Sequence, residues 1–167
     1  MAILVKRKDI VLFINTEPSS ESKSWGLYGK KTTSATYSYN PSSSSETYVT
    51  DDNATVTLDS YAVTIDGNMK CYFGDAVYDY VNKLRYNLAV GSDAETEVLL
   101  IDKYDSTTTE QGTSYKAQVF NATISVTNYG GDGGVTPTIE FTIALNGDPT
   151  NGSVTFAGAV PTFTPTV

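Results

Sequence analysis

Along much of this chain apolar side chains alternate with polar ones, the period of a pleated strand with one face buried. Ile139, Phe141, Ile143 and Leu145 alternate with Glu140, Thr142 and Ala144, which predicts a half-buried strand. Tyr115 to Tyr129 alternates in the same way, but Val119, Ala122, Ile124 and Val126 break step once near Asn121, and a bulge there would account for the slip. Ile10 to Thr16 is apolar at successive positions and predicts a strand covered on both faces, ended by Pro18-Ser19-Ser20. Glu97 to Tyr104 carries a second such run, Val98-Leu99-Leu100-Ile101.

Between these runs the chain is punctuated by turn residues. Trp25-Gly26-Leu27-Tyr28-Gly29 reads as an aromatic turn, and Thr33 to Tyr39 as a strand stopped by Asn40-Pro41. Ser42 to Ser45 offers no side chain able to anchor a core and predicts an exposed loop. Glu46 to Thr50 resumes strand character, Asp51-Asp52-Asn53 turns, and Ala54 to Leu58 with Tyr61 to Ile65 continue to a tight turn at Asp66-Gly67-Asn68. Residues 33–65 thus form a long ribbon with its tip around 41–45, within a protruding loop over 40–52. Gly130 to Gly134 is a further turn, Asn146-Gly147-Asp148-Pro149 another, and Gly152 to Phe156 is expected to pair back. The tail over 157–167 holds only small residues, Pro, Thr, Phe and Val, and is expected to be loose or to lie on a neighbour.

One segment has helical spacing instead, over about 75–90. Val77, Val81, Leu84 and Leu88 recur four, three and four apart, the stripe that packs a helix on a sheet. Asp75 stands where an N-cap carboxylate accepts orphan backbone donors, and Gly91 closes the end. Asp79 early and Lys83 and Arg85 late complement the helix dipole. With no internal repeat and 167 residues, the layout is one domain over 1–167: mainly β, a β-sandwich or partial barrel with one flanking helix.

Composition narrows the function. Nineteen acidic against 11 basic residues give a formal charge of −8, which opposes a grip on nucleic acid or an anionic membrane, since both need clustered cations. The one basic cluster, Lys6-Arg7-Lys8, reads as a solvated chain end. The apolar run Ile10 to Ile14 is shorter than the roughly 7–15 residues of a signal peptide core, and no stretch approaches the ~18 apolar residues of a membrane helix. A single cysteine, Cys71, forms no internal disulfide and suits a packing role.

Chemistry is sparse. The chain has no histidine, so the commonest general base and metal ligand is missing, and Cys71 cannot make a zinc site alone. Gly130 to Gly134 lacks the Lys-Ser/Thr ending and the following helix of a phosphate loop. Asp51-Asp52 and Asp93-Ala94-Glu95-Thr96-Glu97 lack the spacing of a calcium loop and read as solvated turns. No cofactor, metal or catalytic residue is indicated. The 12 tyrosines suit strands and interfaces without a ligand.

Trp25-Gly26-Leu27-Tyr28-Gly29, Tyr39-Asn40-Pro41 through Glu46-Thr47-Tyr48-Val49 to Leu58-Asp59-Ser60-Tyr61, Gly74-Asp75, and Gly147-Asp148-Pro149 with Gly152 follow one another in an order and spacing that resembles the major tail tube proteins of siphophages infecting Gram-positive bacteria. The resemblance implies a sandwich or partial barrel with one helix, six copies in a ring, and rings stacked into a tube that passes double-stranded DNA without binding it. It implies tape-measure, tail terminator and distal tail proteins as partners, a place in the virion, and assembly in the host cytoplasm without a membrane. By the same resemblance the loop Asn40, Pro41, Ser42, Ser43, Ser44, Ser45, Glu46, Thr47 and Tyr48 would reach the next ring. Acidity would let the duplex slide along the lumen, or serves only to keep the free subunit soluble. A phage-derived injection apparatus shares the architecture. The rivals are a carbohydrate-binding or adhesive β-sandwich and, more remotely, a glycan-cleaving enzyme with a carboxylate pair.

Overall fold

Strand β1 (Ile10–Asn15) buries Leu12, Phe13 and Ile14 in succession. Neighbouring side chains on a strand point to opposite faces, so three buried in a row require a sheet covered on both sides. In the computed structural model, which describes residues 2, 4–32, 34–110 and 112–166, Leu12 and Ile14 join one core and Phe13 joins a second.

The remaining strands are β2 (Trp25–Tyr28), β3 (Thr36–Ser38), β4 (Pro41–Glu46), β5 (Thr55–Tyr61), β6 (Thr64–Lys70), β7 (Glu95–Thr109), β8 (Gly112–Gly130), β9 (Thr138–Ala157) and β10 (Val160–Pro165), with helix α1 (Ala76–Asn87) between β6 and β7. Eight of the strands build one antiparallel sheet, ordered β2-β1-β7-β8-β9-β6-β3, with β10 also on β9. β6 and β10 share the far edge of β9, one along Thr138–Ala144 and the other along Gly152–Ala157. β4 and β5 form a separate two-stranded sheet.

The large sheet is strongly curled. Phe13 on β1 and Phe156 on β9 lie 6.2 Å apart between ring centroids, although β7 and β8 separate their strands and a flat sheet would hold them roughly 14 Å apart. On the first face, Tyr28 of β2 meets Phe141 of β9 edge-on at 5.7 Å, and its hydroxyl accepts the Asn68 N–H of β6 at 3.1 Å. Among the described residues no ladder joins β2 to β3. The fold is therefore mainly β, with an open partial barrel and one helix. Helix α1 covers the first face with Val77, Val81 and Leu84, joined by Tyr78 and Tyr80. Asp75 caps it, one carboxylate oxygen accepting the N–H groups of Val77 and Tyr78 at 3.1 Å each.

Several segments differ from the expectation set by pattern alone. Leu88 is 81% exposed and takes the left-handed conformation that ends the helix, so it does not pack on the sheet and Gly91 lies beyond the stop. Trp25-Gly26-Leu27-Tyr28 is a strand; Gly26 admits Val77 of α1 so closely that a Cβ there would sit 2.8 Å from it. Asp66-Gly67-Asn68 runs inside β6, with the Phe141 ring over Gly67 in place of a turn. Asn146 to Pro149 does not reverse the chain. There Phe120 of β8 lies opposite Gly147, Asp148 and Pro149 of β9, so the bulge is on β9. β8 itself pairs with β7 without a shift from Lys116 to Thr123 and carries no bulge near Asn121; its apolar pattern changes step because Ala117 and Val119 join the second core while Ala122 and Ile124 join the first. Ser42 to Ser45 belongs to β4, and the chain turns beyond it, between Glu46 and Thr55. The tail is ordered from Val160 to Pro165 as β10, with Phe163 packed in the second core. Thr33 and Val167, at the ends of two predicted segments, lie outside the described residues.

Two predictions follow from the core. A Cβ on Gly67 would lie 2.5 Å from the Phe141 ring, so Gly67→Ala is expected to destabilise by ~1–3 kcal/mol through overpacking, measured by urea unfolding; an unchanged midpoint would refute the close approach. Burial raises the hydroxyl pKa of Tyr28, Tyr37, Tyr78 and Tyr80 above the ordinary value of 10.0. Their neutral form is favoured in the fold, so their contribution is complete below that value and is lost as pH rises through the folded-state values. The thermal midpoint should fall above about pH 10, in step with the 295 nm tyrosinate signal.

Candidate functional site

Every residue from Tyr39 to Ala62 is exposed. This is the arm of β4 and β5, and at its root Tyr39 and Tyr61 meet edge-on at 6.2 Å. Asn40, in a left-handed conformation (φ 44°), clamps the two legs: its amide donates to the Ala62 carbonyl at 2.9 Å and to the Thr64 hydroxyl at 3.3 Å. Pro41, Ser42, Ser43, Ser44, Ser45 and Glu46 pair with β5, with a register shift between Ser42 and Ser43. Thr47 and Tyr48 lead into the tip, where the Tyr48 hydroxyl donates to Glu46 at 3.2 Å.

Register makes the arm two-faced. Ser43 lies opposite Leu58 and Ser45 opposite Val56, and directly opposed residues share a face. That face presents Val56 and Leu58, 67% and 50% exposed, beside small hydroxyls. The other presents Thr55, Thr57 and Asp59 with Ser44 and Glu46, and Ser44 donates to Asp59 at 2.9 Å. The arm's apolar face has no covering layer in the subunit.

The sheet edges differ in what they offer. On β10 the Thr166 N–H bonds to the Asn151 carbonyl at 2.9 Å, which fixes the phase of the ladder: Pro161, Phe163 and Pro165 turn their backbone outward. Two of these three positions have no N–H to donate, so this edge resists addition of another strand. On β2 the Thr16 N–H to Ser24 carbonyl bond at 2.8 Å sets the phase, and Trp25 and Leu27 turn outward with both groups free to pair. Asn15 supports this edge: its side-chain oxygen accepts the Glu17 and Ser24 N–H groups at 3.2 and 3.1 Å, and Thr96 donates to its carbonyl at 2.6 Å.

An open groove of about 1250 Å³ runs between the 16–20 loop and the C-terminal end of α1, lined by Glu17, Lys83, Leu88, Asp93 and Glu95 among others. Its one aromatic among the described residues, Tyr80, is 7% exposed, so the groove offers no flat ring for a sugar to stack on. The raised tyrosine hydroxyls titrate further from neutrality than free ones, which leaves them unsuited to proton transfer at pH 7. Among the described residues no three His, Cys, Asp or Glu side chains converge as a metal site, and no helix is long and apolar enough to cross a membrane. Asp51 and Asp52 lie at the exposed tip of the arm, whereas the second acidic stretch is not a solvated turn: Asp93 sits in a short 3-10 helix, and Glu95-Thr96-Glu97 opens β7 with Thr96 buried.

Of the residues singled out by sequence, Asn40 to Tyr48 lie together on the arm, while Val77, Val81 and Leu84 lie together under the helix. The outward edge of β2 and the proline-blocked edge of β10 escaped the sequence reading; Pro161 and Pro165, an even number of residues apart in a Thr-rich run, were the available signal.

No protein-family model and no curated protein matches the chain. Among solved structures it is similar to a chain from the tail of an empty gene transfer agent particle, refined helically with C6 symmetry, at 15% identity and a TM-score of 0.57. The match covers 87% of this chain and 97% of that one, and it shows that the two share a fold.

Proposed function

We propose that this chain is the structural subunit of a phage-type tail tube. Six copies close into a ring, rings stack, and double-stranded DNA passes through the lumen unbound. The observation that carries this is the fold shared over 87% of the chain with a component of a C6-symmetric tail. Two features support it physically: a β2 edge with unpaired backbone groups and an arm without a covering layer both favour contact with sister copies. The work is polymerisation rather than catalysis. A tape-measure protein, a tail terminator and a distal tail protein would set the length and ends of such a tube. It would be assembled in the host cytoplasm and end in the virion. A charge of −8 per subunit is compatible with a lumen that lets the duplex slide.

Negative-stain microscopy of the purified protein at rising concentration should show rings and hollow tubes; a monodisperse monomer at every concentration would overturn the proposal. Leu27→Pro removes an outward N–H from β2 at the kind of edge position where proline is tolerated. It is expected to leave a folded subunit that forms no rings, and normal rings would discard β2 as the closing edge. Replacing residues 41–61 by a two-residue turn should leave rings that no longer stack, and unchanged tubes would remove the arm from stacking.

A further inference from the structure

We infer that the arm of one copy docks on a second copy at a cationic aromatic seat formed by Lys30, Lys31, Lys70, Tyr72 and Phe73; this rests on the self-assembly proposed above and names the receiving surface. From Asn40 to Tyr61 the arm carries Glu46, Asp51, Asp52 and Asp59 and no Lys or Arg. Its apolar residues are bare, with Val49 fully exposed at the tip and Val56 and Leu58 on one face. Its docking surface should therefore be both cationic and apolar.

The seat has both properties. Phe73 is 95% exposed and Tyr72 40% exposed, on the connection between β6 and α1. The Lys70 N–H donates to the Lys31 carbonyl at 3.4 Å, and the Lys31 ammonium lies 4.5 Å from the centre of the Tyr72 ring. Lys30, Lys31 and Lys70 are all exposed. The nearby carboxylates of α1 are directed to its N-terminus: Asp75 accepts Val77 and Tyr78, and Asp79 accepts Gly74. The adjoining 131–137 turn, held by the Cys71 N–H to Pro137 carbonyl bond at 2.9 Å, adds Asp132 and the exposed apolar Val135.

Position makes the contact intermolecular. The arm enters β6 at Thr64 and the seat begins where β6 ends at Lys70, about 20 Å apart at the rise of a strand. Arm and seat therefore lie at opposite ends of one strand. A contact between two different surfaces on successive copies closes into a ring or propagates, depending on the rotation between copies; with the β2 edge assigned to ring closure, the arm-to-seat contact is assigned to stacking.

Charge reversal tests this in the full-length protein. Lys31→Glu with Lys70→Glu should lower the number of tubes by about tenfold or more while rings persist and the melting curve is unchanged. Asp51→Lys with Asp52→Lys should do the same, and combining the two pairs should restore tubes. Normal tubes from the lysine-reversed protein, or no rescue in the combined variant, would overturn the seat while leaving the tube proposal standing. If the unaltered protein makes no tubes, that proposal fails separately. The seat is then read from Val49→Cys with Phe73→Cys in a Cys71→Ser background, where intermolecular disulfides should accumulate with concentration under mild oxidation; their absence would overturn it.

Discussion

A two-stranded hairpin with nothing packed on it is marginal in water, because its few cross-strand hydrogen bonds barely offset the entropy of ordering the chain. Residues 39–62 are such a hairpin, with no buried residue anywhere along them. The subunit does what it can locally: Asn40 ties the two legs, Tyr39 and Tyr61 meet edge-on at the root, and Ser44 bonds Asp59 across the polar face. None of these covers Val56 or Leu58. The arm's apolar face thus has no cover within the subunit, and the proposed self-association would supply one.

The body can support such an arm because its own core is complete. Its curled sheet is sealed on one face by α1 and on the other by the β9–β10 end, where Phe156 meets Phe13 and Tyr115. The bulge at Gly147 to Pro149 lets β9 run on past β6 and carry β10 on the same edge. Edges are then treated unequally: prolines blunt β10, while β2 keeps its donors and acceptors. In the proposed tube this asymmetry would set the direction of growth, since two equally open edges invite unregulated pairing.

Burial was legible in the sequence, and pairing without burial was not. Periodicity located the helix face at Val77, Val81 and Leu84 and the strand face at Ile139 to Leu145, because both are dictated by a core. Ser42 to Ser45 carries no burial signal, and its strand exists only through the ladder to β5. Gly26 and Gly67 suggested turns, whereas each marks a close approach of Val77 or Phe141 to the backbone. Leu88 extended the apolar spacing by one step, yet the left-handed stop placed it in solvent. For the arm, the resemblance to tail tube proteins suggested a role that exposure and composition could not, and the register added the two-faced character on which the proposed docking rests.

The most direct test of the dependence on sister copies is amide hydrogen exchange across residues 41–61, compared between dilute subunit and assembled protein. The arm amides should exchange quickly in the dilute subunit and become protected on assembly, while those of β7 and β8 stay protected throughout. Slow exchange of the arm in the dilute subunit, at the level of the main sheet, would show that it needs no neighbour and would contradict the account.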